Sequence, residues 1–197
     1  MKMLKSLAIA ATMIFASTSS QAALCVYNLT LTDVNGVPAP FGPSGDGTIT
    51  LDDTTFMMIS DIHFSLINGL MTGGMLFGPT ATPYTGTAGM AVPSPFTSFP
   101  TNVTIGRATG TLNMTLPGNY DPGFLAANGG NAAAAFAALK TAANNGQVYL
   151  DIKSTSNPAG SIHGFLTPVP EPTSACLLAI GAGMGLVRRR RSSARGV

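Results

Sequence analysis

The sequence predicts a mainly β protein: a single antiparallel β-sandwich or Greek-key domain with one alanine-rich helix inserted, flanked by two apolar terminal segments. Several short stretches alternate apolar and polar residues, as strands with one buried face do. Stretches rich in the chain's 23 glycines and 14 prolines separate them. One run, NAAAAFAALKTAAN, instead favours a helix. We therefore expect an N-terminal segment 1–23, a β domain 24–168 and a C-terminal segment 169–197.

The alternating stretches predict the strands of the β domain. They cover residues 25–32, 47–52 and 55–70, two strands within 103–116, then 147–152 and 161–166, with short strands and excursions in 71–101. Within 55–70, Ile62 and Phe64 belong to one row of alternate residues and Asp61 and His63 to the other, which favours a strand. The last two strands are expected to form a hairpin, followed by a stiff, solvated, proline-rich spacer 167–171.

The predicted helix follows Asn131, whose side chain suits the N-cap position, and stops at Asn145-Gly146. Phe136 and Leu139 are three residues apart and define its buried side, with Lys140 able to point outwards. It is the one helix predicted within the domain.

The N-terminal segment has the pattern of a secretory signal peptide. Lys2 and Lys5 supply a positive start, residues 7–16 an apolar stretch, and Ser-Gln-Ala at 20–22 the small residues of a cleavage site. Cleavage is expected near residue 22 or 23. An uncleaved membrane helix is the alternative, but the apolar stretch is short and ends in Ser-Thr-Ser-Ser.

The C-terminal segment combines three features. Pro170, Glu171 and Pro172 precede an uncharged apolar run, 173–187, and the run is followed by Arg188, Arg189, Arg190 and Arg191. As a helix the run would span roughly 22 Å, short of the ~30 Å hydrocarbon core, and arginine stems can snorkel to close the gap. By the positive-inside rule the arginines stay in the cytoplasm, so the β domain is expected outside the inner membrane.

This order of features resembles the PEP-CTERM sorting signal of Gram-negative bacteria. The resemblance implies that an exosortase-type processing protease recognises Pro170, Glu171 and Pro172. It also implies transient residence of 173–187 in the inner membrane, removal of the tail, and delivery to the cell surface or an exopolysaccharide matrix, with exopolysaccharide as a further expected partner.

The two terminal segments account for the apparent basic character of the chain. Between residues 24 and 168 only Arg107, Lys140 and Lys153 are basic, against seven aspartates, which gives a net charge of −4. Such a domain has no basic stripe for a phosphate backbone, so nucleic acid is not an expected partner. Cys25 lies beside the cleavage site and Cys176 in the tail, so no disulfide is expected to staple the domain.

The order FLAANGGNAAAAFAALK, NNGQVYLDI and NPAGSIHGFLTP resembles the C-terminal half of a CHRD domain, the module named after chordin. The resemblance covers most of 48–168 and implies an all-β sandwich or Greek-key body of a secreted protein. Three departures stand out. Met75-Leu76-Phe77 replaces the family's His-x-His pair, Lys153 a further histidine, and Gly-Ser-Ile-His-Gly at 160–164 the closing Gly-Glu-Ile-Arg-Gly. A metal site of the family, if one exists, is therefore expected to be lacking here.

His63 and His163 are the two histidines of the chain, and a transition-metal site normally needs three or four ligands. A cluster of His63, His163 and Asp61 requires their strands to pair, and separate histidines are the simpler interpretation. A soft-metal site at Met57, Met58, Met71 and Met75 likewise competes with ordinary core methionine. No metal or other cofactor is therefore expected.

No catalytic constellation is recognisable, because the domain has no glutamate for a carboxylate pair and no Gly-x-Ser-x-Gly elbow. Asn28, Asn102 and Asn113 satisfy the N-glycosylation pattern, the first two near expected loops and the third in an expected strand. We predict a secreted, exosortase-sorted surface or matrix protein with a structural or adhesive, non-catalytic role. The alternative is an envelope protein that binds a small ligand or a metal, with a degenerate CHRD-type metal site.

Overall fold

The computed structural model describes residues 24–34, 42–65 and 67–170, which fold into a mainly β body. The strands are β1 Leu24–Asp33, β2 Ser44–Asp52, β3 Met57–Ser65, β4 Met71–Phe77, β5 Met90–Val92, β6 Gly106–Asn113, β7 Tyr149–Ser154, β8 Ile162–Phe165 and β9 Thr167–Pro168. The helices are α1 Pro122–Ala127 and α2 Ala132–Asn144, preceded by a 3₁₀ turn at Pro117–Asn119.

The strands form one continuous nine-stranded sheet in the order β5-β4-β7-β8-β1-β2-β3-β6, with β9 also paired to β1. The paired strands are antiparallel throughout. On one edge β1 pairs with β2, and on its other edge it pairs with β8 at Thr32 and with β9 at Asn28. Because β1 is shared in this way, the hydrogen bonding passes through it without interruption. The described body is therefore mainly β, as predicted, and its strands form one curled antiparallel sheet.

The segment that follows β5 connects that end of the curled sheet to β3 and β6 at the other end. The backbone of Ser98 pairs with Thr109 on β6, and the Ser60 hydroxyl on β3 donates to the Pro95 carbonyl at 2.6 Å. A Cβ on Gly110 would lie 2.2 Å from that carbonyl oxygen, so only glycine permits this approach. The chain after β5 thus crosses back to the β6 edge of the sheet.

The core lies inside the curl, and β3 illustrates how the sequence builds it. Met58, Ile62 and Phe64 are buried, whereas Ile59 and His63 between them are exposed. This confirms the expected alternation over 57–65, although the strand is shorter than the expected 55–70. Burial of each large apolar side chain contributes roughly 1.5–3 kcal/mol relative to its exposure, so the inner row drives the folding of the strand.

Helix α2 confirms the predicted helix. The Asn131 carboxamide oxygen accepts from the Ala133 amide at 2.8 Å, and the helix ends before Gly146, which has a φ of +68°. Phe136 and Leu139 are buried as expected, with the Phe136 ring 5.3 Å from that of Phe56. At its C-terminus, the Tyr27 hydroxyl of β1 donates to Asn144 at 2.7 Å and ties the helix to the sheet.

Lys140 of α2 does not point freely outwards, contrary to expectation. Its ammonium forms an ion pair with Asp53 in the turn between β2 and β3, and its side chain is only 26% exposed. The turn folds back onto the helix, so most of the Lys140 side chain is covered.

Three further expectations differ from the structure. Residues 103–116 contribute one strand, β6, not two, because residues 103 and 104 hydrogen-bond instead to Met71 and Ile67. Helix α1 was not expected. It begins where Asp121 accepts from the Gly123 amide and proline occupies the first helical position. The expected spacer 167–171 begins as strand, since β9 pairs with β1.

The signal-peptide prediction for 1–23 and the predictions for 171–197 lie outside the described residues. Among the helices of the described ranges, none has the length and apolar character needed to cross a membrane.

Candidate functional site

The outer face of strands β4, β7 and β8 carries two rows of side chains in register. Phe77, Tyr149 and Phe165 form the first row, and Met75, Asp151 and His163 form the second. The residues between them along the strands, including Leu76 and Leu150, are buried in the core. Because successive residues of a strand point to opposite faces, both rows face away from the core.

The aromatic side chains of this face contact one another. The Tyr149 ring is stacked on Phe77 at 5.2 Å between centroids and tilted by 52° against Phe165 at 5.3 Å. Tyr84, from the loop after β4, meets Phe165 edge-on at 6.2 Å and 71°. The backbone fixes Tyr84, whose amide donates to the Gly146 carbonyl at 2.7 Å while its own φ is +57°.

Tyr84, Tyr149 and Phe165 line an open cavity of 430 Å³, which we call the aromatic cavity. Its side-chain walls include Tyr84, Tyr149, Asp151, His163 and Phe165. Binding sites for small molecules are typically clefts of about 300–1,000 Å³ with apolar and aromatic walls and a few polar groups. The aromatic cavity has both the size and this mixture of groups.

Asp151 is the polar group that distinguishes the cavity. Its side chain lines the cavity although the residue is only 7% exposed, and within the described residues its Oδ1 has no hydrogen-bond partner. A Cβ on Gly160 would lie 2.5 Å from Oδ1, so the backbone of the β7–β8 turn covers the carboxyl closely. Burial raises the pKa of Asp151 to about 6, and Lys153 offsets part of that effect.

Lys153 is near Asp151 along β7 but does not neutralise it. The Lys153 ammonium lies 5.9 Å from the centroid of the Phe77 ring, a cation–π position, and forms no ion pair with Asp151. The carboxyl of Asp151 is therefore a buried acidic group that forms no ion pair within the described ranges 24–34, 42–65 and 67–170.

The structure separates the residues that were considered as a metal cluster. Asp61 and His63 lie on the outer face of β3, with 3.8 Å between Asp61 Oδ1 and His63 Nε2. His163 lies on β8, and β1 and β2 run between the two histidines. Three strand spacings of about 4.8 Å, roughly 14 Å in all, keep them apart. The part of the chain that the structure describes contains no group of three His, Cys, Asp or Glu able to hold a metal ion.

Asp61 pairs instead with Arg107 on β6, the strand on the other side of β3. The guanidinium Nε donates to Asp61 Oδ1 at 2.6 Å, and a second bond joins the terminal nitrogen to Oδ2. These bonds hold the pKa of Asp61 below its usual value. The pair is an exposed cross-strand salt bridge.

The methionines are also dispersed. Met58 and Met71 are fully buried core residues, while Met75 lies on the outer face beside Asp151. Met75, Phe77 and Lys153, the positions singled out in the CHRD resemblance, share that one face.

The three candidate glycosylation residues are exposed. Asn113 ends β6, as expected of a strand residue, and its Oδ1 accepts from the Thr115 amide. Asn28, however, lies within β1 rather than near a loop, because β1 continues without interruption to Asp33.

Sequence reasoning missed the aromatic cavity. The alternation Tyr149-x-Asp151-x-Lys153 and the pair His163 and Phe165 were visible in the predicted hairpin, and antiparallel pairing would have brought them together. The contribution of Tyr84 had no local signal, because a loop residue reaches the site only through the fold.

Comparison with known proteins adds one finding. The profile of the PEP-CTERM protein-sorting motif matches residues 168–191. The chain therefore carries a C-terminal sorting signal that implies export and a membrane-anchored stage. Signals of the PEP-CTERM type are recognised by exosortase. No curated protein and no solved structure matches the chain.

The matched segment begins at the sheet itself. Pro168 is the last residue of β9, and the amide of Val169 still donates to the Val26 carbonyl at 2.9 Å. Pro170 is exposed immediately after this bond. The sorting signal thus follows the folded body with almost no intervening linker.

Proposed function

We propose that this protein is exported, held transiently in the inner membrane by residues 173–187, cleaved by an exosortase-type protease and retained at the cell surface or in an exopolysaccharide matrix. The observation that carries the proposal is the PEP-CTERM match over 168–191. The net charge of −4 between residues 24 and 168 is compatible with a neutral, hydrogen-bonding extracellular polymer.

The β body would act there in a structural or adhesive role, without catalysis. The resemblance to CHRD domains belongs to the same proposal, as does the role of the N-terminal segment as a cleaved signal peptide. Support comes from the sparse charge of the body and from its strands and helix, which follow the order on which the resemblance depends.

Removal of the only glutamate of the chain tests the sorting step. We expect Glu171→Ala to leave the tail attached, because the acidic residue between the two prolines is part of the proposed recognition sequence. Asp46→Asn, which removes an exposed carboxylate from β2, is the matched control. The mass of the protein recovered from the membrane and from the medium distinguishes the two forms. Normal tail removal in Glu171→Ala would refute the assigned role.

A second candidate function is supported by the aromatic cavity. An exported protein with a 430 Å³ cavity and a buried carboxyl could act as a small-ligand-binding protein of the envelope. This function and the adhesive one differ in the ligand, not in the route of export. Measured binding of a small molecule in the cavity would favour the second.

A further inference from the structure

The aromatic cavity contains an acidic group, Asp151, that the described residues compensate only in part. Asp151 is only 7% exposed, and its Oδ1 accepts no hydrogen bond from the described residues. An isolated carboxylate is costly to bury unless a cation or hydrogen-bond donors compensate it. Oδ1 itself is sealed from solvent, but Asp151 is one of the residues that line the cavity, so a cation bound there would lie beside the carboxyl and compensate its charge.

The other walls of the cavity suit a positive charge. Tyr84, Tyr149 and Phe165 surround the same space, with interplanar angles of 71° and 52° to Phe165. Rings set at such angles enclose a compact group, whereas coplanar rings would form a flat platform. The electron-rich faces of Tyr and Phe attract ammonium groups, and several rings around one space are the usual recognition element for organic ammonium ions.

We infer that the aromatic cavity binds a small organic ammonium ion, whose charged nitrogen contacts Asp151 and whose carbon substituents pack against Tyr84, Tyr149 and Phe165. The volume of 430 Å³ accommodates a free small molecule rather than a polymer chain. The site is independent of the sorting signal, so it can be tested whether or not the tail is processed.

Lys153, two residues from Asp151 along β7, does not occupy the site proposed for the ligand nitrogen. Lys153 is not among the residues that line the cavity, and its ammonium lies over Phe77. His163 also lines the cavity, on the strand beside Asp151. We specify the test at pH 7.5, above the pKa of about 6 of Asp151, so that its carboxyl is ionised.

Choline is the probe, and its uncharged isostere 3,3-dimethylbutan-1-ol is the matched ligand control. Isothermal titration calorimetry is performed on the full-length chain in a nonionic detergent. We expect choline to bind at one site per chain and the alcohol to bind at least roughly tenfold more weakly, because it lacks the charge. Tyrosine fluorescence offers a second readout, since the chain has no tryptophan and two of its four tyrosines line the cavity.

Two variants test the assignment of the residues. Asp151→Asn removes the charge with little change of shape and is expected to weaken choline binding by at least roughly tenfold. Tyr149→Leu removes one aromatic wall and is expected to weaken choline more than the alcohol. The exposed substitution Asp46→Asn should leave both affinities unchanged. Absence of choline binding, equal binding of choline and the alcohol, or unchanged affinity in Asp151→Asn would each overturn the inference.

Discussion

Replacement of Asp151 by asparagine should stabilise the protein at neutral pH. In the folded chain burial raises the pKa of this carboxyl from 3.8 to about 6. Folding therefore favours the protonated form, and the ionised form is destabilised. A difference of about two pKa units corresponds to roughly 3 kcal/mol at about 1.4 kcal/mol per unit. Asparagine carries no charge at any pH and avoids this cost.

The stability gained by Asp151→Asn should depend on pH. Well below pH 3.8 the carboxyl is protonated in both the folded and the unfolded chain, so ionisation of Asp151 contributes nothing to the difference in stability between the two proteins. Between about pH 4 and pH 6 the unfolded chain releases its proton first, and the free energy of unfolding of the parent protein falls relative to the variant. Above pH 6 the difference should stay near its full value.

Urea unfolding followed by far-UV circular dichroism at pH 4, 5, 6, 7 and 8 measures this difference on the full-length chain. The variant should gain stability relative to the parent as the pH rises to 6, and then keep it. If the difference in stability between Asp151→Asn and the parent were the same at pH 4 and pH 7, or if the variant were less stable relative to the parent at pH 7 than at pH 4, the carboxyl would not be the buried group of raised pKa that we describe. Bound choline should reduce the difference, because it favours the ionised parent protein.

Two further substitutions test other parts of the body by the same assay. Asn131→Ala removes the side-chain acceptor at the start of α2 and should lower the free energy of unfolding by about 1 kcal/mol at every pH; no loss would mean that this cap does not hold the helix. Asp61→Asn should have the opposite sign to Asp151→Asn, because Arg107 lowers the pKa of Asp61. Its small loss of stability should be present at neutral pH and disappear in acid as Asp61 is protonated. A gain of stability at neutral pH would contradict the observed salt bridge.

The strands and the helix that the sequence predicted depend on short-range patterns. In β3 the alternation of Ile62 and Phe64 with Asp61 and His63 assigned the two faces, since strand geometry alone relates neighbouring residues. The same applies to α2, where Asn131 and Gly146 delimit an alanine-rich run. Helix α1 had a comparable signal in Asp121-Pro122, but its six residues are too few for a recognisable periodicity.

The predictions that differ from the structure share a different cause. Val103 and Thr104 belong to the alternating stretch that predicted a second strand, yet they form none. Their carbonyls instead accept hydrogen bonds from the amides of Met71 and Ile67. Lys140 is at a position that a helix could expose, and the turn carrying Asp53 covers it. In both cases a segment distant in sequence determined the outcome, and no local pattern records where such a segment will pack.

The sequence by itself determined the sorting signal, the alternating strands and the main helix of this protein. Each depends on residues that are close together in the sequence, and the sorting signal is a linear motif at 168–191. The tertiary structure alone decided which polar groups meet. It separated His63 from His163 by two strands, and it brought Tyr84, Tyr149 and Phe165 to the cavity that Asp151 also lines. The physical reason is that register and the curl of the sheet arise from packing across the whole chain, so a binding cavity appears only when distant strands pair.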